Sequence, residues 1–353
     1  MATTMRRTIG GRAAWRGTDL ARSGSWIRRL TPAQLATLDA ALGRVRASEP
    51  TSIRREDFPL PGFEALLADL DDELENGCGA VRLVGLPAAR YAEADLKRLF
   101  WGLGAHLGHA QRQTVAGELI GEVRDESALA EKTYVETAPD RVMSSRARTR
   151  TTGRLRFHTD RCDVIALLCA RTGIEGGISR LASAVMVRDE IARRRPDLLE
   201  ILHADFHHAW PEDERALHAA PFYRLPVFAE RDGRFTTQYS RTYVEQAQEF
   251  DDVPRLTAAQ VEAMDLLAAV AEELCLEAPF EAGDMQFLNN HLVYHARTAY
   301  ADDRDSGRTR LLLRLWLAMP NSRALPAGHA SLWGATASGA LRGGVGAGLA
   351  RRI

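Results

Sequence analysis

From residue 155 onward the sequence consists largely of short apolar segments separated by Gly, Asp, Asn and Pro, a texture typical of β-strands joined by turns. Two helices interrupt it, near 187–202 and 257–275, and Thr257 with Gln260 forms a candidate capping box for the second. So many short strands predict a closed or sandwiched β architecture of the jelly-roll type, buttressed by helices. The predicted strands are 155–158, 164–169, 178–185, 223–229, 235–239, 284–288 and 310–318.

The first part of the chain is predicted to be mainly helical. Thr31 and Pro32 begin a helix that ends before Pro50, and further helices are expected over 62–77 and 92–107. Strands are expected over 79–86 and 118–123. We therefore expect an N-terminal helical extension over 1–78, a mainly β domain with helices over 79–325, and a Gly/Ala-rich C-terminal tail over 326–353. Its composition predicts that the tail is mobile or packs loosely.

Charge and cysteine content narrow the class of partner and the compartment. Lys+Arg 46 against Asp+Glu 47 gives a formal net charge of -1 over 353 residues, which indicates neither nucleic acid nor an anionic membrane as partner. A small-molecule substrate is therefore expected, and a homo-oligomer is left open. No apolar stretch approaches the roughly 20 residues needed to span a bilayer. The four cysteines form no CxxC pair, which argues against disulfides and structural zinc and fits a cytoplasmic protein.

Two candidate metal ligands lie at the end of the predicted strand 155–158. His158 and Asp160 are two residues apart, so their side chains project to the same side of an extended chain and can share one metal. On its own, such a tripeptide is more often a surface or hydrogen-bonding pair. A third ligand from a distant part of the chain is needed.

A candidate third ligand lies about 135 positions later, in the segment 284–297, which contains His291 and His295. Two histidines and one carboxylate form the facial triad of non-haem Fe(II) oxygenases, which leaves positions open for a keto acid and dioxygen. The spacing of four would also suit a helical zinc pair, but Asn289, Asn290 and the neighbouring β-branched residues disfavour a helix. Spacing alone leaves the choice between the two histidines open.

The segment 308–317 is predicted to be a strand with two distinct faces. Arg310, Leu312, Arg314 and Trp316 share one face, and the leucines at 311, 313, 315 and 317 occupy the other. An arginine that faces a barrel interior needs an anion, because an unpaired buried charge costs several kcal/mol. The anion is either a carboxylate of the protein or a ligand.

Taken in this order, these motifs resemble the TauD/TfdA superfamily of Fe(II)/2-oxoglutarate-dependent dioxygenases, which includes the clavaminate synthase and asparagine oxygenase branch. The resemblance covers approximately residues 80–320 and implies a cupin-like double-stranded β-helix. It implies that His158, Asp160 and His295 bind Fe²⁺, with His295 preferred to His291. Either of the two asparagines that precede His291 matches the asparagine of the family's distal segment.

The resemblance also implies a site for 2-oxoglutarate. Ser179, in Gly-Gly-Ile-Ser, matches the family's Gly-Gly-x-Thr/Ser segment and would donate a hydrogen bond to a carboxylate of the co-substrate. Arg314 matches the arginine that binds the distal carboxylate bidentately, and Arg310 matches a second basic position beside it. The order of the two arginines is open. Ala296 follows His295 where the clavaminate-like branch has glycine.

The implied activity is oxidation of a small organic substrate with dioxygen, coupled to conversion of 2-oxoglutarate into succinate and CO2. Hydroxylation is expected, although desaturation and cyclisation use the same cofactors. Asp160 argues against a halogenase, which needs a small residue in place of the carboxylate. The alternative is a non-catalytic metal-binding or ligand-binding jelly-roll protein.

The sequence does not choose between an amino acid, its derivative and another small organic acid as substrate. Arg154 and Arg156 share the strand face of His158, so one of them is a candidate for a substrate carboxylate, with a surface ion pair at least as good an interpretation. Gln113 and residues 122–126 are candidates for the mouth of the site. A further histidine cluster, expected to be solvated or hydrogen-bonded, comprises His203, His207 and His208.

Overall fold

The structure is a computed structural model that describes residues 8–127 and 149–347. Both ranges contain α-helices and β-strands. The α-helices are α1 (Gly17–Ser23), α2 (Pro32–Val45), α3 (Glu64–Asn76), α4 (Glu93–Leu107), α5 (Ala184–Arg194), α6 (Pro196–Leu202), α7 (Arg241–Ala247), α8 (Ala258–Leu274) and α9 (Ala330–Trp333). Short 3-10 helices span Pro50–Ser52, Arg55–Asp57, Ala88–Arg90, Glu212–Leu217 and Ala327–His329.

The strands are distributed along the whole described chain. They are β1 (Ile27–Arg29), β2 (Ala80–Val84), β3 (His109–Ala110), β4 (Gly121–Val123), β5 (Leu155–His158), β6 (Val164–Arg171), β7 (Glu175–Gly176), β8 (Ser179–Ser183), β9 (Asp205–Ala209), β10 (Phe222–Pro226), β11 (Phe228–Arg231), β12 (Arg234–Thr237), β13 (Leu276–Ala278), β14 (Met285–Asn289), β15 (Val293–Arg297), β16 (Tyr300–Ala301) and β17 (Leu311–Ala318).

Two sheets of the described chain face each other. The major sheet has seven strands, in the order β1-β2-β14-β6-β17-β3, with β4 also paired to β17. The minor sheet has the order β13-β8-β15-β5. Three two-stranded ribbons, β9/β10, β11/β12 and β7/β16, extend from them. The architecture is the double-stranded β-helix, or jelly roll, that the short strands predict.

The major sheet is buried on both faces, and β17 shows how. Leu313, Leu315 and Leu317 belong to the core cluster formed with α2, α3 and α4. Trp316, on the opposite face, belongs to the core cluster shared with the minor sheet. The predicted two-faced strand is therefore confirmed, and the face that carries the arginines is directed between the sheets.

Most predicted elements are present within a few residues, and their differences have local causes. The predicted strand 178–185 ends at Ser183, because that side chain accepts a hydrogen bond from Met186 N and so caps α5. The helix predicted over 187–202 is two helices that meet at Pro196, since proline removes the backbone donor that continuation would require. The strand predicted over 223–229 is two strands in different ribbons, divided at Val227 just after Pro226.

The segments on either side of the β domain are integrated into it. β1 pairs in parallel with β2, so residues 27–29 form an edge of the major sheet. In the 326–347 part of the tail, Arg342 is buried and its guanidinium contacts the Asp163 carboxylate. This close packing differs from the loose cover that the Gly/Ala-rich composition predicts, because a few large side chains anchor it.

No helix in residues 8–127 and 149–347 is both long enough and apolar enough to cross a membrane.

Candidate metal centre

Three side chains with metal-binding atoms converge between the two sheets. His158 ends β5, Asp160 lies two residues further on, and His295 lies in β15. Because β5 and β15 are antiparallel neighbours with His158 directly opposite His295, the strand pairing brings together residues far apart in the chain. One potential ligand atom from each of the three lies within 4.8 Å of the others. The described residues contain no other group of three His, Cys, Asp or Glu with this spacing.

The imidazole nitrogens are oriented toward the carboxylate. His158 Nδ1 lies 2.9 Å from the Arg156 carbonyl oxygen, so Nδ1–H donates there and the lone pair of Nε2 is left for a metal. The Nε2 atoms of His158 and His295 lie 3.8 Å from the two Asp160 carboxylate oxygens. His295 Nδ1 is buried without a hydrogen-bond partner in the described chain. Two imidazole nitrogens and one carboxylate directed at a common point fit Fe(II).

The electrostatics keep Asp160 and His295 deprotonated. Burial acts to raise the pKa of Asp160, but the Arg314 guanidinium, the two imidazoles and the Trp316 indole N–H hold that pKa below its usual range. Trp316 Nε1 donates to Asp160 Oδ2 over 3.0 Å. Burial, with the neighbouring His158, lowers the pKa of His295 to about 3. At neutral pH, Asp160 is therefore ionised and His295 is neutral, which are the forms that bind metals.

Asn290 positions the chain around Asp160. Its Oδ1 accepts the Asp160 backbone N–H over 2.9 Å, and its Nδ2 donates to the Cys162 carbonyl over 3.0 Å. His291 has both ring nitrogens in hydrogen-bond contacts, Nδ1 with Thr236 Oγ1 at 2.8 Å and Nε2 with an Asp163 carboxylate oxygen at 2.9 Å. The geometry therefore brings His295 into the cluster and leaves His291 outside it.

Residues 160–163, the ligand loop, are also fixed by the C-terminal part of the chain. The buried Asp163 carboxylate accepts hydrogen bonds from Arg342 Nε over 2.8 Å and from Met319 N over 3.0 Å. Gly344 N donates to the Arg161 carbonyl over 2.7 Å. Sequence reasoning missed this clamp, because an isolated arginine in a Gly/Ala-rich segment carries no motif.

All six residues predicted for the metal and co-substrate sites line one cavity, which we call the Ser179 cavity. Its wall consists of side chains from both sheets. These include His158, Asp160, Ser179, His295, Arg297, Arg310, Leu312 and Arg314. The two predicted sites are therefore adjacent.

Arg314, in β17, and Arg310, which directly precedes this strand, have different surroundings. Arg314 Nε donates to Gln113 Oε1 over 2.6 Å, and Arg314 Nη1 lies 4.0 Å from Asp160 Oδ2. Arg310 is 5% exposed, and its Nη1 is buried without a hydrogen-bond partner among the described residues. Gly177 makes room for it, since a Cβ there would lie 2.8 Å from Arg310 Nε, and its φ of +68° also favours glycine. Ser179 Oγ lies 2.9 Å from Gln286 Oε1 and donates to it.

A second cavity, which we call the Trp210 cavity, adjoins the first and shares His158, Asp160 and Arg314 with it. Sequence reasoning predicted none of its other residues as site residues, although it placed Trp316 on the same strand face as Arg314. They come from separate loops and ribbons and include Arg161, Trp210, Tyr223, Gln238, Ser240, Tyr243, Trp316 and Leu332.

The remaining sequence-based candidates lie elsewhere. Arg154 and Arg156 form surface ion pairs with Glu272 and Glu245, and neither lines the two cavities. Gln113 is buried and supports Arg314. The cluster of His203, His207 and His208 lies apart from the metal centre, with His208 stacked on Tyr223.

Comparison with known proteins identifies the family of the chain. The family "Taurine catabolism dioxygenase TauD, TfdA family" matches residues 44–316, so the chain belongs to the TauD/TfdA family. It is accordingly an Fe(II)- and 2-oxoglutarate-dependent dioxygenase, with O2 as co-substrate, as the sequence predicts.

Two curated relatives cover most of the chain. FR-33289 synthase of Streptomyces rubellomurinus is 26% identical over 342 residues, which are 92% of this chain and 95% of that protein. The taurine hydroxylase-like protein SAT17 of Stachybotrys chartarum is 28% identical over 312 residues, 86% of this chain and 77% of that protein.

Solved structures of other oxygenases share the fold. Asparagine oxygenase in complex with Fe(II), 3-hydroxyasparagine and succinate superimposes with a TM-score of 0.62 at 15% identity, covering 83% of this chain and 93% of that one. The non-haem iron oxygenase OrfP in complex with Fe and α-ketoglutaric acid gives a TM-score of 0.58 at 15% identity, covering 82% and 93%.

Proposed function

We propose that His158, Asp160 and His295 are the three protein ligands of the Fe(II) of this dioxygenase, which hydroxylates a small organic substrate such as an amino acid or a carboxylic acid derivative. The observation that carries the proposal is the convergence of their ligand atoms within 4.8 Å between the sheets. When bound, Fe(II) supplies the activation of dioxygen, with the electrons and the leaving CO2 coming from 2-oxoglutarate, which becomes succinate. The hydroxylated amino acids named in the asparagine oxygenase and OrfP structures support this class of substrate.

The surrounding residues hold the three ligands in the required state. The Arg156 carbonyl fixes the tautomer of His158, and Trp316 and Asn290 orient Asp160 through its carboxylate and its backbone N–H. His158 and His295 are buried between the two sheets and Asp160 is half-buried, which limits the access of bulk water to the ligand atoms.

For the co-substrate we propose that Arg310 and Ser179 bind the distal carboxylate of 2-oxoglutarate and that Arg314 lies beside the metal-binding end. Arg314 contacts Asp160 and is supported by Gln113, whereas Arg310 carries a buried guanidinium nitrogen, Nη1, without a hydrogen-bond partner among the described residues. A planar guanidinium suits a carboxylate through paired charge-assisted hydrogen bonds. These contacts favour Arg310 for the distal carboxylate, whereas the sequence motif assigns that carboxylate to Arg314.

The metal assignment is tested by loading the purified protein with Fe(II) under anaerobic conditions and then measuring O2-dependent succinate formation from 2-oxoglutarate across a panel of small acids. His158→Ala, Asp160→Ala and His295→Ala are each expected to lose bound iron and succinate formation, because each removes one of three ligands. Wild-type protein that binds iron but never forms succinate would instead favour a non-catalytic binding protein.

The co-substrate assignment is tested by anaerobic titration of the Fe(II)–2-oxoglutarate charge-transfer absorbance. Arg310→Lys is expected to weaken 2-oxoglutarate binding about 10-fold or more with iron retained, since lysine offers a point charge in place of a planar fork. Ser179→Ala should weaken it as well, because the hydroxyl that donates to Gln286 Oε1 in the structure would turn its one O–H to the carboxylate, and a hydrogen bond to a charged group is worth about 1.5–3 kcal/mol. Unchanged affinity in Arg310→Lys, with affinity lost in Arg314→Lys, would return the anchoring role to Arg314.

We further propose a cytoplasmic protein that acts on a small molecule without a nucleic-acid partner, and we leave open whether it forms a homo-oligomer. The four cysteines support the compartment, since Cys78, Cys162, Cys169 and Cys275 are all free thiols.

A further inference from the structure

Arg161 directly follows Asp160 in the chain, and its side chain lines the Trp210 cavity. Its side chain is 9% exposed, and its guanidinium carbon lies 5.5 Å from the centre of the Trp210 ring. Trp210 in turn stacks on His218, with ring centres 3.6 Å apart and an angle of 3° between the planes. A buried aromatic stack therefore fixes the position of this guanidinium next to the metal centre.

The protein uses only part of the hydrogen-bonding capacity of Arg161. Its Nη2 donates to Glu214 Oε2 over 2.7 Å, and this carboxylate is fully buried. A guanidinium has five N–H donors. Its Nε has no hydrogen-bond partner within residues 8–127 and 149–347. Since a buried donor without an acceptor costs about 1–3 kcal/mol, the arrangement favours a ligand that supplies acceptor atoms.

A second polar group of the same wall lacks a partner. Gln238, the residue after β12, is 5% exposed and lines the Trp210 cavity. Its backbone N–H donates to the Val227 carbonyl over 3.0 Å, which fixes the residue, but its Oε1 has no hydrogen-bond partner among the described residues. The wall also contains four aromatic side chains, Trp210, Tyr223, Tyr243 and Trp316. In this cavity, Arg161 and Gln238 are therefore polar side chains with unused hydrogen-bonding atoms beside aromatic groups.

The charges around the two cavities favour an anion. Four arginines line them in the described chain, whereas Asp160 is the one acidic lining residue and Glu214 contacts Arg161 from behind. The charge of +2 on Fe(II) and the charge of −2 on the 2-oxoglutarate dianion cancel each other. The arginine-rich lining of the described cavities therefore favours an anionic substrate in the loaded site. The four lining arginines are Arg161, Arg297, Arg310 and Arg314.

We propose that Arg161 binds the anionic group of the primary substrate, a small organic acid, in the Trp210 cavity, and that Gln238 contacts a polar atom of the same molecule. This makes Arg161 a specificity-determining residue. The proposal rests on the proposed function, since the substrate meant is that of the oxygenase reaction. The guanidinium recognises the negative oxygens shared by carboxylates, sulfonates and phosphonates.

The test is a binding measurement that does not depend on turnover. Iron-loaded protein with saturating 2-oxoglutarate, which fills the Ser179 cavity, is titrated anaerobically with propionate, propane-1-sulfonate and propylphosphonate, and with propionamide as the uncharged match. Tryptophan fluorescence reports binding, because Trp210 lies against the Arg161 guanidinium. We expect at least one anion to bind about 10-fold or more tightly than propionamide, and Arg161→Met to abolish that preference.

Two further variants keep the test decisive. Arg161→Met leaves the buried Glu214 carboxylate without its guanidinium, so Arg161→Met/Glu214→Gln is measured alongside as a variant that removes both charges. Arg154→Met is the matched control, since Arg154 is an exposed arginine that also pairs with a glutamate. It should bind all four compounds as the wild type does.

The proposal is overturned if the wild type binds none of the three anions better than propionamide, or if both Arg161 variants keep the preference. Failure of the proposed function would be seen in a different measurement, as an absence of iron-dependent succinate formation with every acid. The fluorescence titration would still report whether Arg161 binds anions. The relative affinity of the three anions assigns the acid class.

Discussion

Asn290→Ala is expected to lower both the stability of the protein and its affinity for iron. The substitution removes the amide that accepts the Asp160 N–H and donates to the Cys162 carbonyl. A buried polar group left without its partner costs about 1–3 kcal/mol, so two such groups cost about 2–6 kcal/mol of unfolding free energy. Since Asp160 also loses the contact that fixes its backbone, iron affinity should fall about 10–100-fold, as for other outer contacts of metal ligands.

Asn289→Ala supplies a closely matched control. Asn289 is equally buried, and its amide accepts from His291 N over 2.8 Å and donates to the Leu74 carbonyl over 3.0 Å. Its side chain does not contact the ligand loop. We therefore expect a similar loss of stability in urea denaturation, with iron affinity close to that of the wild type.

Iron affinity is measured by competition with a chelator at a temperature at which both variants are folded, with circular dichroism recorded on the same samples. Wild-type iron affinity in Asn290→Ala would refute the reasoning, and so would an equal loss of iron affinity in Asn289→Ala. The first result would mean that the Asp160 backbone is held without Asn290. The second result would mean that iron affinity depends on the overall stability of the protein and not on the contact between Asn290 and Asp160.

The remaining predictions concern the same region. His295→Ala should abolish iron binding, whereas His291→Ala should retain iron while losing stability, as iron content and thermal unfolding would show, because both ring nitrogens of His291 are engaged in protein contacts. Arg342→Met should cost about 3–5 kcal/mol of unfolding free energy in urea denaturation at pH 7, since it breaks a buried ion pair. Burial acts to raise the pKa of Asp163, but His291 and Arg342 hold that pKa below its usual range. The ion pair therefore stabilises the protein fully above about pH 4, where Asp163 is ionised in the folded and the unfolded state. The difference in unfolding free energy between Arg342→Met and the wild type should shrink as the pH falls through the folded-state pKa of Asp163.

Local patterns in the sequence predicted the parts of the site that lie on regular strands. The two-residue spacing of His158 and Asp160 and the alternation of the 310–317 segment depend only on the period of an extended chain, and the structure reproduces both. Recognition of the third ligand required the family motif, because spacing alone left His291 and His295 equivalent. Their difference arises from strand register, which places His295 opposite His158.

The Trp210 cavity could not be derived from the sequence. Arg161, Trp210 and Gln238 belong to three segments whose contact depends on how two ribbons fold over the ligand loop, and no periodic pattern encodes that packing. The single strand predicted over 223–229 was wrong in the same region, since the first strand ends at Pro226 and a second begins at Phe228. The choice between Arg310 and Arg314 likewise depends on their neighbours, Gln113 and Asp160, and not on strand alternation, which gives both arginines the same face.

The contact between Arg342 and Asp163 spans 179 residues of sequence, which has a consequence for how the enzyme matures in a cell. At a synthesis rate of about 5–20 residues per second, the ribosome adds Arg342 roughly 10 to 40 s after Asp163. His158, Asp160 and His295 are all synthesised before that arginine, so a nascent chain has every proposed iron ligand while the loop that carries Asp160 still lacks its clamp. Stable iron capture is therefore expected to follow translation of the C-terminal segment, and ribosome-bound chains that stop short of Arg342 should retain little iron.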